Sequence, residues 1–218
     1  MAQIFHPSST VISKASIVVV IVALAAVAWA ANEIYLSGYT TEQNVAREQP
    51  VPFSHKHHVN DEGLSCAYCH TSADKSSFAG IPPTYTCMTC HSQIWTTSPM
   101  LEPVRESFRT QKPLQWIRVH DLPDFVYFNH SIHISKGIGC ETCHGRVDQM
   151  PLMRRQNTLF MAWCIDCHRA PEKYIRPRSE VFTMGYVYPN NQEEVGKKLV
   201  KEYNVQVHRI TDCSTCHR

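Results

Sequence analysis

The chain has 218 residues and a formal net charge of +2, from 21 Lys and Arg against 19 Asp and Glu. That near-neutral balance, without a long basic run, excludes a surface built to follow nucleic-acid phosphates. The length would ordinarily suggest one or two domains. The 10 Cys and 13 His are what set this composition apart, and their placement organises the chain.

The first predicted element is apolar. Ala15 to Asn32 carries no charge over 18 residues, inside the range for a membrane-spanning helix. Lys14 precedes it and Glu33 follows, while Trp29, Tyr35 and Tyr39 sit where an interfacial aromatic belt would. Ala28-Trp29-Ala30 resembles a signal-peptidase site, but the apolar stretch is longer than a typical signal core, so an uncleaved anchor over residues 1–36 is expected. The run of small residues from Ala23 to Ala31 would permit close helix packing. Residues 37–49 form a polar connector, stiffened at its exit by Pro50 and Pro52.

Beyond the connector two halves share one pattern. Phe53-x-His55-x-x-His58 precedes Cys66, and Cys87 follows 21 residues after Cys66. Phe128-x-His130-x-x-His133 precedes Cys140, and Cys164 follows 24 residues later. This is a repeat, a unit used twice over residues 50–112 and again from 113, with a further motif towards residue 218. Asn191 to Asn204, with Val195, Leu199 and Tyr203 four apart, is predicted as an amphipathic packing helix. Strand signal is poor throughout.

The cysteines fall into five Cys-x-x-Cys-His motifs: Cys66/Cys69/His70, Cys87/Cys90/His91, Cys140/Cys143/His144, Cys164/Cys167/His168 and Cys213/Cys216/His217. All ten are used. Zinc ribbons or disulfides would account for paired cysteines, but not for a His directly after every pair, which at this His content is on the order of one in a million by chance. Cys-x-x-Cys-His is the c-type haem attachment pattern, in which both thiols bond the haem vinyl groups and the His becomes the proximal iron ligand. Five covalent haems are therefore expected. They would replace much of an ordinary side-chain core, giving a multihaem cytochrome c that is loop-rich, with short α-helices and little or no sheet. Haem propionates would make the loaded protein anionic. Covalent attachment takes place outside the bacterial cytoplasm. The expected location is thus the inner membrane, single-pass, with the N-terminus cytoplasmic and the haems periplasmic.

A low-spin electron-transfer haem takes a second axial ligand, usually His or Met. With His6 ahead of the anchor, seven histidines remain for five irons: His55, His57, His58, His120, His130, His133 and His208. Met150, Met153 and Met161 are thioether alternatives.

The Phe-x-His-x-x-His units resemble those of the small cytochrome c3 and c7 class. By position, the resemblance implies that His55 serves the haem of Cys66/Cys69, His58 that of Cys87/Cys90, His130 that of Cys140/Cys143 and His133 that of Cys164/Cys167. The last iron would take His120 or His208, with His120 preferred. A closer likeness runs through PVPFSHKHHV, GLSCAYCH, GIPPTYTCMTCH, WIRVHDLPDFVYFNHSIHISKGIGCETCHG and MAWCIDCHR. Over about residues 50–170 the chain resembles the ActA family, the membrane-anchored pentahaem cytochrome c subunits of alternative complex III. The second unit has Ile132 where the first has His57, which hints that His57 is not essential to the pattern.

That resemblance implies a non-catalytic electron wire in a menaquinol-oxidising complex. Its partners would be an iron–sulfur subunit, polytopic quinol-binding subunits and a periplasmic acceptor such as a cytochrome c or a copper protein. Two alternatives compete. A multihaem nitrite or hydroxylamine enzyme would need one open iron. A stand-alone quinol-oxidising cytochrome would place a motif close after its anchor, whereas here Cys66 lies 34 residues past Asn32.

Overall fold

The structure is a computed structural model that describes residues 4–217. The outermost residues of the expected anchor (1–3) and of the second unit (218) lie outside the described residues. The chain divides into two compact units, Met1–Gln43 and Asn44–Arg218.

The first unit is dominated by α1, Ser8–Leu36, longer at both ends than the uncharged stretch alone predicts. Its 29 residues extend about 44 Å at helical rise, beyond the ~30 Å of a bilayer's hydrocarbon core. The helix is apolar all round with no buried residue, and among the described residues it is the one helix long and apolar enough to cross a membrane. Ser37 ends it by turning to extended backbone while its hydroxyl donates to the Ile34 carbonyl at 2.6 Å. One helical turn, α2 (Gly38–Thr41), follows.

The second unit is a set of short helices joined by loops. They are α3 (Cys66–Cys69), α4 (Thr84–His91), α5 (Glu102–Thr110), α6 (His130–Ser135), α7 (Cys140–His144), α8 (Met161–Arg169), α9 (Gln192–Glu202) and α10 (Cys213–Cys216). A π-helical turn spans Lys56–Asp61. Among the described residues there is no strand, only isolated antiparallel bridges such as Ile138 with Ile175 and Val126 with His217. α9 is the predicted amphipathic helix. It packs on the turn Pro171–Lys173, with Tyr203 buried at its end.

The core is small for the length of chain. Nine apolar residues are buried among those described, and the largest cluster, Val51, Leu101 and Val104, is completed by Cys87, Met88, Leu114 and Trp116 around α4 and α5. The whole chain exposes 14832 Å², whereas a compact chain of its mass would expose roughly 10,000 Å². The bare helix α1 accounts for part of the excess. The second unit's core is thin for its length, and its five cysteine pairs lie on short helices.

Candidate haem centres

Each Cys-x-x-Cys pair lies on one helical turn, so both thiols leave the same side of the backbone. The turns start in different ways. Ser65 caps α3 by accepting the Ala67 N–H at 3.3 Å, and Pro83 leads into α4, whose Thr84 hydroxyl lies 2.7 Å from that of Ser107. All ten thiols are free of disulfides, and no three His, Cys, Asp or Glu among the described residues converge on a metal point. The pairs therefore do not assemble into zinc-type fours.

The histidine after four of the five pairs is oriented through its Nδ1. The carbonyl partners are Gly80 for His70 (2.6 Å), Ile94 for His91 (3.4 Å), Ile210 for His168 (2.7 Å) and Phe125 for His217 (3.2 Å). An Nδ1–H held by a carbonyl fixes the tautomer that leaves Nε2 with its lone pair, the usual arrangement of metal-ligating imidazoles. Gly80 reaches its position with φ at +79°, a conformation that side chains disfavour. His144 is the most enclosed of the five, and burial, followed by the rings of His120 and His130, pushes its pKa down to about 3.

The two Phe-x-His-x-x-His units repeat in three dimensions, contact by contact. Ser54 and Asn129, one residue after each Phe, accept the N–H three residues on, from His57 (3.1 Å) and Ile132 (3.4 Å). Their carbonyls take Nδ1 of His58 (2.8 Å) and His133 (2.7 Å). Each Phe ring meets its first His edge-on, at 4.9 Å for Phe53–His55 and 4.7 Å for Phe128–His130. It stacks on the second, at 4.3 Å for Phe53–His58 and 4.5 Å for Phe128–His133. One aromatic ring thus sets two imidazoles in each half, a role that spacing alone does not reveal.

Three imidazoles from these units stand opposite a motif histidine. The ring centroids are 6.2 Å apart for His58 and His91, 6.3 Å for His130 and His144, and 6.1 Å for His133 and His168. Two imidazoles on opposite sides of one metal, with metal–nitrogen bonds of about 2 Å, take a centroid separation of roughly 6 Å. The donor set and its spacing therefore fit a haem iron. His55 is partly buried, and its buried Nδ1 has no hydrogen-bond partner. Its pKa is lowered to about 4 by burial first and then by His70, the neighbouring ring acting on it most strongly.

The other candidates lie elsewhere. His120 packs on His144 at 4.3 Å, with a buried Nε2 lacking a hydrogen-bond partner. Its contacts belong to the third motif, whereas the ring partner of His217 is Phe125 at 5.7 Å. Burial, then the Arg155 charge, lowers the His120 pKa to about 4. His57 is half-exposed between Asp61 and Glu62, each 3.7 Å away, and His208 is exposed. Met150 is fully buried beside Val147, while Met161 is 60% exposed.

Sequence spacing also misses a clamp around the third motif. The Arg176 side chain is fully buried and reaches Glu141, inside Cys140-Glu-Thr-Cys143, at 3.0 Å. It also donates to the Thr183 carbonyl (3.1 Å) and lies over the rings of Tyr186 and Tyr188. Glu141 further accepts the N–H groups of Gly185 and Tyr186. A Cβ at Gly139 would fall 2.1 Å from the guanidinium carbon, so the approach requires glycine there. The local signal was a charged residue inside an attachment motif, whose partner 35 positions away only the fold supplies.

Residues 126–218 match the family described as cytochrome c7 and related cytochrome c. The chain is also 40% identical over 99 residues to the menaquinone reductase, multiheme cytochrome c subunit, of Nitratidesulfovibrio vulgaris (strain Hildenborough). That match covers 45% of this chain and 46% of the relative, so the chain spans about half the length of the curated relative it matches. Residues 126–218 are thus similar to cytochrome c7, a family that binds c-type haem covalently, and among the described residues this stretch is helical and loop-rich with no strand.

Proposed function

We propose that this chain is the electron-carrying subunit of a membrane quinone oxidoreductase, holding five c-type haems outside the membrane behind a single N-terminal anchor. The observation that carries the reading is the set of imidazoles facing motif histidines at 6.1–6.3 Å. Haem, when bound, supplies a one-electron iron couple whose potential is set by axial ligands, burial and neighbouring charge.

The chain's own residues do the rest. The ten motif cysteines tether the groups, and His70, His91, His144, His168 and His217 are the proximal ligands. His55, His58, His130 and His133 are distal ligands, held by Phe53 and Phe128. A distal imidazole occupies the position that a substrate would need, so the subunit conducts without being an enzyme by itself. The fifth site's distal group is the open member of the set. His120 sits with the third motif, and His208, nearer in sequence, becomes the alternative.

The assembly is a complex of the alternative complex III type, with an iron–sulfur subunit and polytopic quinone-binding subunits as partners. A periplasmic cytochrome c or copper protein exchanges electrons on the far side. The similarity to a protein named for menaquinone reduction favours a second reading, in which electrons run towards the quinone.

The test is purification of a C-terminally tagged chain in mild detergent, with mass determination and carbon monoxide addition to the reduced protein. Five covalent haems, no carbon monoxide binding at the four sites with distal histidines, and co-purifying iron–sulfur and polytopic subunits support the proposal. Recovery of the chain alone, reduced directly by menaquinol, would instead indicate a stand-alone quinol cytochrome. Tight carbon monoxide binding at a distal-histidine site would indicate an enzyme.

A further inference from the structure

The five motifs do not lie in space in the order in which they occur in the chain. The second touches the first, where the Tyr68 hydroxyl meets that of Thr89 at 3.0 Å and the Phe53 ring spans the histidines assigned to both. The first touches the third. His130 is held by the Ser77 carbonyl that follows the first motif, Ser131 N–H donates to the Ser76 carbonyl at 3.1 Å, and Lys56 N–H donates to the Met150 carbonyl at 3.1 Å. The third touches the fourth through Phe128, whose ring carries both His130 and His133, and through Asn157, which donates to the Cys143 carbonyl at 2.9 Å. The fourth touches the fifth where the Ile210 carbonyl holds His168.

The junction in the middle has a particular form. Lys56 and Ser131 each follow the first His of their unit, and Ser76 and Met150 each lie six residues after a motif His, so these two hydrogen bonds are reciprocal and the halves meet through equivalent surfaces, as in a two-fold dimer. Like meeting like puts the first member of each unit inside and the second member outside. Exposure runs the same way: Cys90 of the second motif and Cys213 of the fifth are the two exposed cysteines, and the other eight are partly buried.

Resting on the five-haem reading above, we propose that the haem sites form one unbranched row in the spatial order second, first, third, fourth, fifth, and that the second and fifth are its exchange points with redox partners. One electron enters at one end for each that leaves at the other, and no bond or proton changes hands. The reductant and oxidant are the quinol-linked iron–sulfur partner and the one-electron periplasmic carrier, in either direction. The Cys66 and Cys140 sites join the halves and meet neither partner.

The test is an anomalous difference map of the loaded full-length protein at the iron edge, with covalent haems counted by mass. Five irons whose neighbours follow that order, those of His91 and His217 being farthest apart, are expected. Five covalent haems with the His91 iron beside any iron other than that of His70, or with the His217 iron beside any other than that of His168, overturn the row alone. Fewer than five covalent haems overturn the reading beneath it as well. A kinetic measurement complements the map. Replacing Cys213 and Cys216 by Ser should abolish exchange with one partner while the other four sites still equilibrate together. Replacing Cys140 and Cys143 should leave two sets that equilibrate separately, and full equilibration across that variant overturns the proposal.

Discussion

The two Phe-x-His-x-x-His units are built alike and enclosed differently. Both use a Phe to set two imidazoles, and both tie the second imidazole to the carbonyl four residues back. In the second unit the first imidazole, His130, has its Nδ1 on the Ser77 carbonyl, and its partner His144 is covered by the His120 ring. In the first unit the equivalent Nδ1, on His55, has no partner. The facing rings differ too, lying 69° from parallel for His58 and His91 but 29° for the equivalent His133 and His168. Repetition in sequence copies the local geometry, whereas burial and ring twist come from what packs around each copy.

The largest break in this comparison is expected at Arg176, which braces the second unit and has no counterpart bound inside Cys66-Ala-Tyr-Cys69. Arg176→Met would leave Glu141 buried without its cation and should cost about 3–5 kcal/mol, seen as an early thermal transition of the loaded protein. Gly139→Ala should act in the same direction, because its Cβ would meet the guanidinium. Neither change should alter the haem count, which the cysteines determine.

Next come the proposed distal ligands. On the proposed reading, His133→Ala and His58→Ala should each convert one haem to a high-spin form that binds carbon monoxide, read by electron paramagnetic resonance and visible spectra. A variant that keeps all haems low-spin would remove that histidine from the ligand set. Phe128→Ala and Phe53→Ala remove a partly buried ring that touches two imidazoles. Each should cost about 1–3 kcal/mol in thermal unfolding and broaden two low-spin signals, not one.

Acid should act more gently, and on both halves. Burial holds His144 at about 3 and His55 and His120 at about 4, below the free imidazole value of 6.5. The unfolded chain therefore binds protons more readily, so this contribution is complete above pH 6.5 and is lost as pH falls through the folded values. Iron coordination favours the same neutral form. The ferric spectrum should hold from neutral pH down to about 5 and change as pH falls further. The smallest effect is expected for His57→Ala. Exposed pairs such as those with Asp61 and Glu62 are screened by water and contribute little, so stability and spectra should barely move.

Much of the site is legible because haem attachment is a local pattern. Two thiols and an imidazole within five residues lie on one helical turn whatever surrounds them, so Cys140 to His144 identify themselves. The repeat shows for the same reason, since Phe128, His130 and His133 are set by one short helix and its Asn129 cap. The apolar run of α1 is likewise a property of consecutive residues, as is the helix over Gln192–Glu202. His120 was not legible. From the chain it is a spare ligand for the last iron, but the fold lays it on His144, because a loop residue goes where its loop is packed.

The sequence by itself therefore determined the chemistry of the chain: which residues can tether a haem, which can face one, and that the unit occurs twice. Only the tertiary structure decided which sites are neighbours, that the segment after His70 meets the second unit at His130 and Ser131, and that Arg176 closes on Glu141 from 35 positions away. The physical reason is range. Attachment and capping act over a few bonds of one turn, whereas neighbourhood and burial depend on contacts between segments that are far apart in the chain.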